Sequence, residues 1–166
     1  ALTRQGTDRL PVRLSGSQPV AIYRPTSLSA GEGKGPAPSA TAIRGRLDHL
    51  SPSEQLVLKV SSVIGPSFTV ATLTEIFPVV SEKTQLNGLL DSLVEQGLLL
   101  RGAETAAGRS YVFADGIIHH VAYASMLYMQ RRHLHRRAAE RCEERHRTDL
   151  SPWYVILAHH WRHGGE

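Results

Sequence analysis

The stretch Leu56–Phe68 constrains the fold of this chain more than any other. Ser51-Pro52-Ser53-Glu54 precedes it and reads as a helix start, with Ser51 as N-cap, Pro52 at the first helical position and Glu54 at the third. Leu56, Val57, Val60, Val63 and Ile64 then follow at helical spacing, which predicts a buried helix. Gly65-Pro66 ends it, because glycine accepts a left-handed cap and proline cannot continue a helix. About forty residues later comes a strand that turns into a helix and then into a very basic helix.

The segments around this helix predict the rest of the architecture. Ala42–His49 forms a short helix with Ile43, Leu47 and Leu50 on one side. Thr69–Phe77 gives a second short helix, ended by Pro78. Ser81–Thr84 opens a third, with Leu86, Leu89, Leu90, Leu93 and Val94 as its apolar positions and Gly97 as its stop. Leu98–Arg101 and Ser110–Phe113 read as two strands around a polar tip, Gly102–Gly108. Asp115 caps the next helix, which carries Ile117, Ile118, Val121, Ala122 and Leu127. Arg131–His146 continues as a charged helix with Leu134, Ala138 and Cys142 as a narrow apolar line. Ser151-Pro152 starts a last helix with Trp153, Ile156, Leu157, Ala158 and Trp161, and Gly164-Gly165 is its turn. Three helices followed by a hairpin is the winged-helix order. The expected fold is therefore mostly α: a winged-helix domain over 39–129 with a small β-hairpin wing, then a helical extension over 130–166 that starts a run of helical repeats. Residues 1–38, broken by Pro11, Pro19, Pro25, Pro36 and Pro38, read as a linker or as the end of a preceding domain, with one strand candidate at Val20–Tyr23.

Size and charge set wider bounds. A chain of 166 residues supports one domain, or one small domain with extensions. No stretch approaches the length of a membrane-spanning helix. The chain opens with Ala1 and shows no secretory signal, so it reads as a piece of a longer polypeptide. One cysteine, Cys142, allows no internal disulfide and fits a reducing, cytoplasmic compartment. The net charge of +4 suits nucleic acid, acidic protein surfaces and lipid headgroups alike.

The chemistry-bearing residues point away from catalysis. The third helix, the DNA-reading helix of a winged-helix protein, carries Glu82, Lys83, Gln85, Asn87, Asp91, Ser92, Glu95 and Gln96, which is net acidic. It lacks the arginines that phosphates and guanine edges need, and the wing adds only Arg101 and Arg109, so nucleic acid is a disfavoured partner. Arg131–Arg147 is the strongest charge run, but Glu140, Glu143 and Glu144 interrupt it. With Glu140 and Glu144 able to pair with Arg136 and Arg137, a solvated face with internal ion pairs is expected. Histidines are numerous at 119, 120, 133, 135, 159, 160 and 163. Only His159 and His163 share a face at i, i+4, with no carboxylate or cysteine near them in sequence, so no metal site is expected. No nucleophile elbow occurs, and Cys142 reads as an inert packed thiol. Trp153, Trp161, Tyr123 and Tyr128 read as packing residues.

Taken together, RLDHLSPSEQLVLKVSSVIGPSF, LLDSLVEQGLLLR and YVFADGIIHHVAYASMLYMQRRHLHRRAAE resemble the region after the ATPase core in STAND-class, AAA-like signal-transducing NTPases. The resemblance covers about Ile43 to His160 and is nearest to soluble, bicarbonate-responsive adenylyl cyclases. It implies a parent protein that binds ATP or ADP with Mg and makes cAMP, with this segment as a non-catalytic regulatory arm between the NTPase core and a helical-repeat tail. Those two elements would be its partners, with other proteins as further partners. It also implies a cytoplasmic setting, extending to a cilium or flagellum in a eukaryotic soluble cyclase. The segment itself lacks a GxxxxGK[ST] loop, so it holds no cofactor of its own. Many STAND proteins offer a histidine to bound ADP in a Met-His-Asp type turn. The matching turn here is Phe113-Ala114-Asp115, and an alanine methyl cannot donate to phosphate. Nucleotide sensing is then lost at this turn, or is supplied from Asp115, His119 or His120. Two alternatives stand beside this reading: a DNA-binding winged helix of a STAND transcription regulator, and a scaffold segment of a large assembly.

Overall fold

Helix starts and stops fall where the local chemistry puts them. The computed structural model describes residues 39–105 and 108–165; the linker and strand expected within 1–38, and the centre of the hairpin tip, lie outside the described residues. Helix α1 (Ala40–Asp48) is capped by Ser39, whose hydroxyl accepts from the Ala42 N–H. Helix α2 (Pro52–Ile64) opens with a full capping box between Ser51 and Glu54 and has Pro52 at its first position. It ends at Gly65, whose φ of 147° is open to glycine and strained for other residues. Val57, Leu58, Val60 and Val63 of α2 are buried at the centre of the core.

After the Gly65-Pro66 corner the chain makes a short strand, β1 (Ser67–Thr69), before helix α3 (Val70–Ile76). The sequence reading starts α3 at Thr69 and has no strand here. In the structure Thr69 is both the last strand residue and the N-cap, its hydroxyl accepting from the Thr72 N–H. A three-residue strand carries too little alternation to be seen in a sequence. The third helix also differs from expectation. Val80–Gln85 is a 3-10 stretch, and α4 (Leu86–Glu95) begins only at Leu86. No side chain caps this start, so the tighter stretch leads into the helix instead. Leu86, Leu90 and Leu93 point into the core, and Gly97, at φ 67°, turns the chain into the sheet.

Strands β2 (Leu99–Thr105) and β3 (Gly108–Phe113) form a longer hairpin than the residue pattern predicts. β1 pairs with the far side of β3, giving a three-stranded antiparallel sheet in the order β1-β3-β2. The register sets Leu99 opposite Phe113, Arg101 opposite Tyr111, and Phe68 opposite Tyr111. Leu99, Tyr111, Phe113 and Phe68 are buried, with the Phe68 ring 6.1 Å from Tyr111 and 6.2 Å from Phe113. Leu100 and Val112, a register pair on the opposite face, remain exposed.

Helix α5 (Gly116–Ala124), capped by Asp115, packs on α1 and α2. The chain then breaks at Ser125–Leu127 and restarts as α6 (Tyr128–His146), where Gln130 accepts from the Leu127 N–H. The break corrects two expectations. Leu127 is 71% exposed and takes no part in the apolar face of α5, and Tyr128, at 65%, does not pack between helices. α6 buries Leu134, His135, Ala138 and Ala139, while Cys142 is only half-buried. Leu134 and Ala138 join the same apolar core as α2, α4 and the sheet. After a 3-10 turn at Ser151–Trp153, helix α7 (Tyr154–Gly164) folds back along α6 and buries Leu157, His160 and Gly164; Ala158, expected inside, is exposed. Among the described residues no helix is long and apolar enough to cross a membrane. The protein is mostly helical with one small antiparallel sheet, as expected.

Candidate functional site

Three places concentrate polar chemistry. The first is the start of α5, where the resemblance directs attention to Asp115, His119 and His120. Asp115 accepts from the Ile117 N–H at 2.7 Å, so its carboxylate already occupies the helix N-terminus where a phosphate would bind. His119 lies edge-on to Phe113, with ring centroids 5.0 Å apart, and its Nε2 meets the Ser62 carbonyl at 3.0 Å. A carbonyl only accepts, so Nε2 carries the proton. Burial pushes the His119 pKa down, partly offset by that hydrogen bond. His120 is exposed. Asp115 and His119 thus hold α5 in place, and Ala114 packs against the core while its N–H donates to the Leu98 carbonyl.

The second place is the outer side of α4 with the hairpin. Asp91 pairs with Arg101 across from β2 at 2.8 Å, and this bond, with its charge, holds the Asp91 carboxyl below its usual range. Ser92 and Gln96 both donate to Glu54 Oε1, at 2.7 and 2.9 Å. Glu54 Oε2 accepts from the Ser51 N–H and hydroxyl, so one carboxylate joins the start of α2 to the end of α4. Its pKa is lowered, first by Ser92 and then by Ser51. Arg46 of α1 donates to the Gln96 carbonyl at 2.7 Å. Three of the polar residues that a groove-reading helix would present are therefore bound to neighbouring elements. Asn87 and Glu95 remain exposed on α4, and neither carries positive charge.

The third place was not legible as a site in the sequence. α6 and α7 bring together His135, His159, His160 and His163. His135 and His160 are buried, with their Nδ1 atoms 2.9 Å apart. His135 Nε2 meets the Tyr123 hydroxyl of α5 at 3.0 Å. His159 is exposed at the rim, its ring 5.5 Å from that of His135. His163 stacks 5.0 Å from His135, with Nδ1 held by the His159 carbonyl at 2.8 Å. One ring nitrogen each from His135, His159 and His160 falls within 4.8 Å of the others. Burial, and then repulsion from the neighbouring histidines, pushes His135 down to about 3 and His160 down to about 4, so both rings are neutral at pH 7. Helical spacing places adjacent histidines on different faces, but it says nothing of a partner helix 25 residues away. The one hint was that His160 shares a stripe with Leu157 and Gly164 at i, i+3, i+7.

The basic run of α6 is laced with ion pairs, but only Arg136–Glu140 is the pairing expected: Glu144 turns to Arg141, three residues away, and not to Arg137, two helical turns away. Arg136 pairs with Glu140 at 3.1 Å; Glu144 pairs with Arg141, and Arg145 reaches Glu75 of α3. Glu75, Arg141, Glu144 and Arg145 line a groove of about 460 Å³ with Lys83 and Arg137. Trp161 and Trp153 serve the α6–α7 contact: the Trp161 indole N–H donates to Glu143 at 2.8 Å, and Trp153 stacks on His146 at 3.9 Å. No family model, curated protein or solved structure matches the chain.

Proposed function

We propose that this chain is a non-catalytic winged-helix arm that transmits conformational change between neighbouring parts of a STAND-type NTPase. The order α2–β1–α3–α4–β2–β3, with β1 closing a small sheet beside the hairpin, supports the winged-helix reading. The observation that carries the function is the state of α4. Its outward polar residues are joined to Glu54, Arg101 and Arg46 of the same chain, and what remains exposed is neutral or acidic. A DNA-reading helix needs donors free to reach phosphates and guanine edges. Here the same hydrogen bonds stiffen the unit, so that it would move as one body.

The contact points follow from the fold. The apolar side of α1, Ile43 and Leu47, is buried within the unit, so α1 would meet a neighbour through its exposed polar side. The hairpin offers Leu100 and Val112 outward, an apolar pair suited to a protein surface. The resemblance carried by Arg46-Leu47-Asp48 and Val63-Ile64-Gly65 favours a soluble adenylyl-cyclase-like parent, in which ATP and Mg would bind outside this segment and α6–α7 would open the helical-repeat tail, while Ala114 in the Phe113-Ala114-Asp115 turn departs from that pattern. With Asp115 seated on its own helix, the arm would respond to nucleotide through contacts with the core.

Fluorescence anisotropy with a labelled 20-base-pair duplex tests the arm against the DNA-binding alternative. The expected result is no binding at 150 mM salt and no more than weak, sequence-independent association at 50 mM. Sequence-specific binding that Asn87→Ala weakens, with a steep salt slope that Arg101→Ala reduces, would overturn the proposal. In a longer polypeptide carrying an NTPase core, protease cutting around Ser39–Leu50 should change with added nucleotide. Unchanged cutting would favour the scaffold reading.

A further inference from the structure

The histidines between α6 and α7 use none of the chemistry proposed for the arm, and they meet the requirements of a metal site. We infer that His135, His159 and His160 form a three-histidine site for a divalent transition metal, with Zn²⁺ as its natural probe, that clasps α7 to α6.

The ligand set comes first. Three neutral imidazoles with no oxygen ligand suit zinc, copper, nickel or cobalt and exclude calcium and magnesium, which need oxygen cages. Three protein ligands with one open position is the pattern of zinc sites that keep a bound water. Here the open side is the rim at His159, which is exposed, whereas His135 and His160 are buried.

Geometry comes second. A tetrahedral zinc with Zn–N near 2.0–2.1 Å sets its ligand nitrogens roughly 3.3 Å apart. The buried pair stands at 2.9 Å, so a metal entering between them widens that gap by about 0.4 Å and replaces one hydrogen bond with two coordinate bonds. One ring nitrogen from each of the three lies within 4.8 Å of the other two, and the one that must close the distance, on His159, is at the surface.

Support from behind the ligands comes third. When the metal takes Nδ1 of His135, Nε2 carries the proton and donates to the Tyr123 hydroxyl at 3.0 Å. This is the outer contact that fixes tautomer and ring angle in histidine metal sites. Close packing of the two helices holds the pair in register: a Cβ on Gly164 would stand 3.1 Å from the Arg136 backbone, and Arg132 donates to the Gly164 carbonyl. Arg131, which lies over the Tyr123 ring at 5.2 Å, and Arg162 oppose a cation. Affinity is therefore expected to be weaker than at thiolate sites.

Isothermal titration calorimetry of the full chain with Zn²⁺ at pH 7.5, after chelator treatment, tests this. The expected result is one ion per chain, an affinity lowered at least tenfold by His160→Ala and by His159→Ala, and no change for His49→Ala. Because His159 is exposed, its variant retains the fold even where His160→Ala does not, and circular dichroism checks this. Co²⁺ in place of Zn²⁺ should give the intense visible bands of a four-coordinate site, and Zn²⁺ should raise the melting temperature of the wild type but not of His159→Ala. Stoichiometry other than one, weak six-coordinate cobalt bands, or equal affinity in wild type and a folded His159→Ala variant would overturn the inference and leave only scattered surface histidines binding the ion.

Discussion

Glu54 offers the sharpest test of how this fold is held. Its carboxylate accepts four hydrogen bonds, two from Ser51 within its own helix start and two from Ser92 and Gln96 at the end of α4. Losing the local cap costs about 1 kcal/mol. The bond from Ser92 is charge-assisted, 2.7 Å long and part-buried, which makes it worth about 1–1.5 kcal/mol after allowing for solvent at its rim. Adding a few tenths for the more exposed Gln96 bond, Glu54→Ala should destabilise the protein by about 2–3 kcal/mol. The decisive measurement is a double-mutant cycle of Glu54→Ala with Ser92→Ala by urea denaturation at pH 7. The tertiary reading expects a coupling of about 1–1.5 kcal/mol across the 38 residues between them. The coupling also has a sign in pH. The folded-state pKa of Glu54 is depressed below its ordinary 4.5, so the stabilisation is complete above that value and is lost as pH falls through the folded pKa. A coupling under about 0.3 kcal/mol at pH 7, or one that grows as the carboxyl is protonated, would refute the reasoning.

Three further outcomes are expected. In metal-free protein kept in chelator, His135 and His160 stay neutral in the fold while the unfolded chain protonates both. Stability should therefore be full above pH 6.5 and fall as pH drops below it, by roughly 2 kcal/mol per histidine at pH 5. Urea midpoints of the wild type and of His135→Leu/His160→Leu between pH 7.5 and 5 check this, and parallel slopes would contradict it. Gly164→Ala should destabilise the α6–α7 contact by about 1–2 kcal/mol despite the better helix propensity of alanine, because the new methyl meets helix backbone at 3.1 Å. Hydrogen exchange should accelerate along α7 and stay unchanged in α2 and α4. Burial pushes the Cys142 thiol up, so its alkylation by iodoacetamide at pH 7.5 should run several-fold slower in the native protein than in urea; equal rates would show an accessible thiolate.

Much of the fold was legible because it is set by local rules. The capping box at Ser51 and Glu54, the Gly65 stop, the Asp115 cap and the apolar spacing of Leu86, Leu90 and Leu93 act within a few residues, and each stands where the residues placed it. The misses share a cause. β1 is too short to show alternation, and the start of α4 lacks a cap, so the residue pattern does not distinguish the 3-10 stretch before it from α-helix. Tyr128 and Leu127 looked buried by type, yet the break at Ser125–Leu127 turned them out to solvent.

The candidate sites divide along the same line. Sequence alone settled the acidic character of α4, the ion pairing of Arg136 with Glu140, and the absence from these residues of a phosphate-binding loop, since these depend only on residue type and helical spacing. Only the tertiary structure could join Glu54 to Ser92, Arg145 to Glu75, and His135 to His160, because each pair lies on different elements whose approach is decided by how the core packs. A helix fixes which side chains share its own face; what that face meets is determined by the whole chain burying its apolar surface at once.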